Sequence, residues 1–148
     1  MENKKVMNRI QDLGAVIALI LLVAVISIIS PEFRTVKNFL SLLRQSSING
    51  LIAFGMTCVI LTGGIDLSVG SVLALTTAIC ASLIANGTPV AIAMIVALVL
   101  GVLFGIISGI FVTKGRLQPF IATLITMTVF RGLTMIFMDG KPISNLGD

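Results

Sequence analysis

The chain has 148 residues, of which 57% are hydrophobic and 11% are charged, and its mean hydropathy is +1.14. A soluble domain carries about 25% charged residues, so this composition excludes a water-soluble globule and predicts an integral membrane protein. The net charge of +4 lies in the termini and loops. It bears on orientation in a membrane and argues against nucleic-acid binding.

Five apolar segments are long enough to cross a bilayer, which takes about 20 residues. The first follows Lys4, Lys5 and Arg9 and is longer than the core of a signal peptide, so we expect an uncleaved first helix. The sequence predicts an all-α, polytopic transmembrane helical bundle over 13–138. The predicted spans are 13–30, 38–62, 66–85, 89–113 and 119–138. Residues 1–12 are predicted to be a cytoplasmic tail, and residues 139–148 a polar C-terminal stub that is truncated.

Glycine and proline residues mark the predicted ends of these spans. Gly63-Gly64 is expected to end the second span as a C-cap. Pro89 and Pro119 are expected to open the fourth and fifth spans, because proline is favoured in the first helical turn. The third span is expected to start at Asp66 or Ser68, either of which can cap a helix with its side-chain oxygen.

The charge bias is a weak guide to orientation. With a cytoplasmic N-terminus, Lys114 and Arg116 join Lys4, Lys5 and Arg9 on the inner side. Four basic residues then lie outside, namely Arg34, Lys37, Arg44 and Lys141. We favour this orientation because it places both basic clusters on the cytoplasmic side.

The segment between the second and third spans is the first candidate functional site. Asp66 is the only charge between Arg44 and Lys114, and an ionisable residue within a membrane is a functional-site hypothesis by default. The flanking glycines let the backbone leave helical geometry, which is tolerated at membrane depth only inside protein or beside a water-filled cavity. The candidate pathway or hinge residues in this segment are Gly63, Gly64, Asp66, Ser68, Gly70 and Ser71. The alternative is that Asp66 only caps a helix at the membrane edge.

Two further polar residues are pathway candidates. Asn49 lies on a small, polar face of the second span, where an interhelical hydrogen bond is the alternative role. Arg131 lies about 18 Å along the fifth span from Pro119, and the alternative is that it reaches the far interface. A separate ridge of small residues in the fourth span is predicted to pack closely against another helix. It consists of Ala93, Ala97, Gly101, Gly105 and Gly109.

Residue types that most enzymes need are missing from the sequence. It contains no His, Trp or Tyr, which removes the commonest general base and the commonest metal ligand. No Gly-x-x-x-x-Gly-Lys-Ser/Thr pattern is present, so ATP is not bound by that route. Cys58 and Cys80 lie in apolar runs and are expected to act as small hydrophobes. We therefore predict a chain that is not an enzyme and uses no metal or cofactor.

Two motifs carry a resemblance to a known family. The first is Thr57–Ser71, with the letters TCVILTGGIDLSVGS, and the second is Lys114–Leu124, with the letters KGRLQPFIATL, followed by Phe130-Arg131-Gly132. Their order and spacing resemble the permease subunits of bacterial ribose-type ABC importers. The resemblance covers essentially the whole chain from about Val36 onward.

That resemblance implies a multi-pass subunit of the bacterial inner membrane that forms a dimer. It implies a periplasmic sugar-binding protein and a cytoplasmic ABC ATPase as partners, and a monosaccharide as the transported solute. Members of the family are about twice as long as this chain, so it resembles an N-terminal half. A passive channel, an ion-coupled carrier and an inactive fragment with a structural role stay open as alternatives.

Overall fold

The structure is a computed structural model that describes residues 13–143. The predicted tail 1–12 and the last five residues of the predicted stub lie outside the described residues. Five α-helices and one short 3₁₀ helix make up the described chain, and it contains no strand. The predicted all-α fold is therefore confirmed. The helices are α1 (Gly14–Ile29), the 3₁₀ helix (Pro31–Arg34), α2 (Val36–Leu61), α3 (Val69–Ala85), α4 (Val90–Thr113) and α5 (Pro119–Phe137).

Contacts divide the chain into two compact units, Met1–Leu51 and Ile52–Asp148, with the boundary inside α2. In the first unit, α1 contacts the 3₁₀ helix that follows it. The last bond of α1 runs from the Ser30 N–H to the Ile26 carbonyl at 2.8 Å. The hydroxyl of Thr35 accepts a hydrogen bond from the Asn38 N–H at 3.2 Å, which supplies the N-cap of α2.

The second unit is a bundle in which α3 packs against both α4 and α5, and α4 also packs against α5. Ser108 on α4 donates a 3.2 Å hydrogen bond to the Thr126 hydroxyl on α5. The rings of Phe104 and Phe130 lie 4.7 Å apart between their centroids. Since 104 pairs with 130 and 108 with 126, α4 and α5 run antiparallel.

The interior of the described chain is more polar than its surface. Among the described residues, the buried polar side chains outnumber the buried apolar ones, which are Leu75, Ala78, Ala93, Ala122 and Phe130. The polar set is Ser68, Ser71, Thr76, Ser108, Thr123, Thr126 and Thr134. Large apolar residues face outward instead, for example Leu98 at 70% exposure and Ile136 at 79%. Small polar interiors with apolar exteriors are typical of helices that pack within lipid.

Two of the described helices, α4 and α5, are both long and apolar enough to cross a bilayer, and α1 and α3 are shorter apolar helices. α2 has 26 residues, but its middle carries Arg44, Gln45 and Asn49 and is less apolar. The protein is therefore an all-α membrane protein.

Candidate translocation site

The candidate site begins where α2 ends. Gly63 has a φ of +78°, in the left-handed region that glycine adopts without steric cost. Its N–H donates to the Ile60 carbonyl at 2.9 Å, and the Gly64 N–H donates to the Val59 carbonyl at 3.1 Å. These two bonds form a Schellman cap. The predicted glycine C-cap of this helix is confirmed.

The next residues, Gly64–Ser68, form no helix. Asp66 Oδ1 accepts hydrogen bonds from the Ser68 N–H at 2.8 Å and from the Ser68 hydroxyl at 2.6 Å. Ser71 in turn donates to the Ser68 carbonyl at 2.7 Å. The carboxylate of Asp66 thus orders a turn ahead of α3.

The predicted cap of α3 is wrong in its details. The helix begins at Val69, and its N-cap residue Ser68 makes no side-chain cap hydrogen bond. Asp66 bonds to Ser68, two residues ahead, because the chain between them is not yet helical. The Ser68 hydroxyl itself donates a hydrogen bond to that carboxylate, so it does not cap the helix. Pro89 is likewise the N-cap residue of α4 and not its first helical residue, whereas Pro119 opens α5 as predicted.

The non-helical segment lies along the first turns of α5. A Cβ atom built on Gly64 would lie 3.9 Å from the Pro119 Cβ, at the start of that helix. The Thr123 hydroxyl lies 3.2 Å from the Ile65 carbonyl oxygen and 2.8 Å from the Pro119 carbonyl oxygen, so it can donate to either. Ser71, in the first turn of α3, borders the same cavity as Arg131. Because Arg131 lies about 18 Å from Pro119 along α5, at 1.5 Å per residue, α3 begins beside the interior of α5 and not beside its first turn.

Two cavities adjoin this segment. The first, here the Asp66 cavity, has a volume of about 260 Å³ and lies between the segment and the helices α4 and α5. Its lining includes Gly64, Asp66, Gly105, Ser108, Gly109 and Thr123.

The second, here the Arg131 cavity, has a volume of about 370 Å³ and lies between the start of α3 and the second half of α5. Its lining residues are Leu67, Gly70, Ser71, Ala74, Met127, Arg131, Thr134 and Met135. Asp66 and Arg131 therefore border different cavities. Within residues 13–143 they form no ion pair, and the one ion pair found there joins Lys141 to Asp139 at 3.4 Å.

Most of the predicted pathway residues of the second unit lie at these two cavities. Gly64, Asp66, Gly70, Ser71 and Arg131 border one cavity or the other. Ser68 lies in the non-helical segment, and Gly63 directly precedes that segment. Asn49 is exposed on α2 within the first unit, and its place on the pathway stays a prediction.

The small-residue ridge of α4 has two kinds of surroundings. Ala93 is fully buried, whereas Ala97 and Gly101 are half-buried. Gly105 and Gly109 border the Asp66 cavity. A Cβ atom on Gly101, Gly105 or Gly109 would meet nothing within 4 Å. Close packing of a helix along the whole ridge stays a prediction.

Two hydroxyl contacts had not been predicted as parts of the site. Thr123 holds the non-helical segment to α5, and Ser108 joins α4 to α5 through Thr126. A signal for Thr123 exists in the sequence, since Thr123, Thr126 and Thr134 share one side of α5. Ser108 stands alone in an apolar helix and gives no comparable signal.

Comparison with known proteins identifies the family. The family model described as the permease component of branched-chain amino acid transport systems matches residues 38–142. The chain is 60% identical to the ribose import permease of Bacillus subtilis over 93% of its own length, and 56% identical to that of Haemophilus influenzae over 86%. It is 39% identical to the D-allose transport system permease of Escherichia coli over 88% of its length.

The resemblance stated from the two sequence motifs is confirmed by these relatives. The chain spans 42%, 40% and 40% of the lengths of these three proteins. No solved structure matches it. Because the family model covers more than two thirds of the 148 residues, this chain belongs to the permease-component family of branched-chain amino acid transport systems.

Proposed function

We propose that this chain forms part of the membrane-spanning permease subunit of an ATP-driven importer for a ribose-type monosaccharide. The observation that carries the proposal is the non-helical segment Gly64–Ser68, which lies along α5 and borders two cavities. Irregular backbone at membrane depth is tolerated only where protein buries it or where it borders a water-filled cavity. The similarity to ribose import permeases, at up to 60% identity, supports a sugar as the solute.

The solute path runs beside this segment. Gly63 and Gly64 serve as its hinge, and Asp66, Ser68, Gly70, Ser71 and Arg131 border it. Hydroxyl groups donate and accept hydrogen bonds and a guanidinium donates them, so both suit a neutral polyol. Asn49 would join the path from α2.

The subunit lies in the bacterial inner membrane with its N-terminus in the cytoplasm. Five spans, 13–30, 38–62, 66–85, 89–113 and 119–138, cross the bilayer. The five described helices support this topology, and so do the basic clusters at Lys4, Lys5 and Arg9 and at Lys114 and Arg116.

Three partners complete the importer. A cytoplasmic ABC ATPase supplies energy, a periplasmic binding protein delivers the sugar, and a second copy of the permease completes the path. The sequence has no phosphate-binding loop pattern, which supports hydrolysis of ATP on a separate chain.

The test is uptake of radiolabelled ribose by proteoliposomes that hold the permease expressed from its complete gene, with its ATPase and binding protein. We expect uptake with ATP and background counts with a hydrolysis-deficient ATPase. Equal uptake with both would contradict the proposal and favour a passive channel or an ion-coupled carrier. A permease that inserts but binds no ATPase would favour the structural alternative.

A further inference from the structure

The Arg131 cavity carries a positive charge that no described lining residue balances. Its lining includes Arg131 and contains no Asp or Glu. Asp66 borders the other cavity, where its Oδ1 is already bonded to the N–H and hydroxyl of Ser68. Arg131 lies about 18 Å from the first residue of α5 and about 9 Å from the last, at 1.5 Å per residue. The cationic group is thus attached inside the span and not at its end.

Gly70 and Ser71, in the first turn of α3, border the same cavity. The Asp66 carboxylate accepts a hydrogen bond from the Ser68 N–H just ahead of that turn, so it offsets the partial positive charge of the helix end, and the positive field of the cavity comes from Arg131. In the low-dielectric surroundings of a membrane, such a fixed charge acts more strongly than it does in water.

A neutral sugar meets no such repulsion. Ser71 and Thr134 donate their protons to the Ser68 and Phe130 carbonyls, both within their own helix region. Their oxygen lone pairs are therefore left as acceptors for sugar hydroxyls, while the guanidinium offers up to five N–H donors. The same cavity can bind an uncharged polyol and repel a cation.

We propose that Arg131 makes the Arg131 cavity an electrostatic barrier that stops protons and metal cations from crossing with the sugar. Fixed positive charge in a pore excludes cations in this way. The inference rests on the proposed function, because it assumes that the sugar path passes this cavity. Arg131 would thereby preserve the membrane potential while the wide polar path for the sugar is open.

The test uses the same proteoliposomes, loaded with a pH-sensitive dye, so that ribose uptake and proton leak are measured together. We expect the proton leak through the Arg131→Gln complex to rise about tenfold or more, the scale on which a charged site changes local ion concentration, whatever the change in its ribose uptake. Arg131→Lys should keep the proton leak at the wild-type level because it keeps the positive charge. Arg116→Gln is the matched control, since it removes an exposed arginine from the loop between α4 and α5.

Several results would overturn the inference while leaving the proposed function intact. One is an Arg131→Gln complex that transports ribose and leaks no more than the wild type. Another is a wild-type complex that carries protons or sodium ions with each sugar, a measurement that needs no variant. Wild-type complexes without ATP-dependent ribose uptake would instead contradict the proposed function itself.

A second variant covers the case in which Arg131→Gln does not assemble. Thr134→Glu would place a carboxylate one helical turn from Arg131, in the same cavity. The new carboxylate should neutralise the positive charge of Arg131 and raise the proton leak, whereas Thr134→Gln should leave the proton leak unchanged. Equal leaks from these two assembled variants would also overturn the inference.

Discussion

The hydroxyl oxygen of Thr123 lies 3.2 Å from the carbonyl oxygen of Ile65, and this contact joins α5 to the non-helical segment that precedes α3. The two residues are 58 positions apart in the chain. Thr123 is buried, so its hydroxyl needs a hydrogen-bond partner. It is the one described hydrogen bond from a side chain of α5 to the backbone of this segment.

Replacing Thr123 with Val tests this connection, because the two side chains have the same shape. We expect Thr123→Val to destabilise the protein by about 0.5–1.5 kcal/mol, the net contribution of a typical intramolecular hydrogen bond. The measurement is the thermal unfolding midpoint of the purified protein in detergent. Thr128→Val is the matched control, because the exposed Thr128 bonds only to its own helix at Leu124. Equal midpoints for both variants would show that the contact contributes nothing.

Asp66 can act through its shape or through its charge, and two substitutions separate these roles. Asp66→Asn keeps an oxygen that can accept from Ser68, whereas Asp66→Ala removes it. We expect Asp66→Ala to cost about 1–3 kcal/mol of stability and to impair ribose uptake. Asp66→Asn should retain the stability of the wild type. If both variants lose uptake equally while remaining stable, the charge and not the turn is what transport requires.

The end of α2 depends on a backbone conformation that only glycine adopts freely. Gly63 has a φ of +78°, although a Cβ atom there would meet nothing within 4 Å. Gly63→Ala should therefore cost about 1 kcal/mol through backbone strain alone. Gly55→Ala is the control, because Gly55 lies inside α2 with similar open space and a helical backbone. We expect Gly55→Ala to be neutral or stabilising in the same unfolding measurement, and a loss equal to that of Gly63→Ala would contradict the strain argument.

Water access to the two cavities can be measured with single cysteines in a background where Cys58 and Cys80 are replaced by alanine. We expect Gly109→Cys in the Asp66 cavity and Ser71→Cys in the Arg131 cavity to react with charged, membrane-impermeant thiol reagents. Leu98→Cys should not react, because Leu98 is 70% exposed on an apolar helix that faces lipid. If neither cavity position reacts from either side in any state of the assembled complex, the solute path lies elsewhere.

The helix ends were predictable because they depend on local backbone chemistry. Gly63 and Gly87 take positive φ values at the ends of α2 and α3, and Pro119 opens α5. Proline fixes φ, and glycine adopts a positive φ without steric cost, whatever surrounds them. The cap of α3 was not predictable in the same way, since Asp66 and Ser68 can bond to each other as well as to a helix.

The depth at which α3 begins could not be predicted from the sequence. It follows from the contacts of Gly64 with Pro119 and of Ile65 with Thr123, between segments far apart in the chain. The separation of Asp66 and Arg131 into two cavities depends on the same placement. Periodicity shows which residues share a helix face, but it gives no register between one helix and an extended segment beside it.

The late start of α3 also bears on how thick the water-free part of the membrane would be beside the non-helical segment. Five residues, Gly64–Ser68, follow α5 for its first turns without a helical ladder of their own, so many of their amide and carbonyl groups depend on water or on neighbouring side chains. If water reaches these groups, the water-free part of the membrane beside this segment is thinner than the roughly 30 Å of hydrocarbon in the surrounding bilayer. A dissolved molecule crossing here would shed its solvent shell over a shorter distance than in the surrounding lipid.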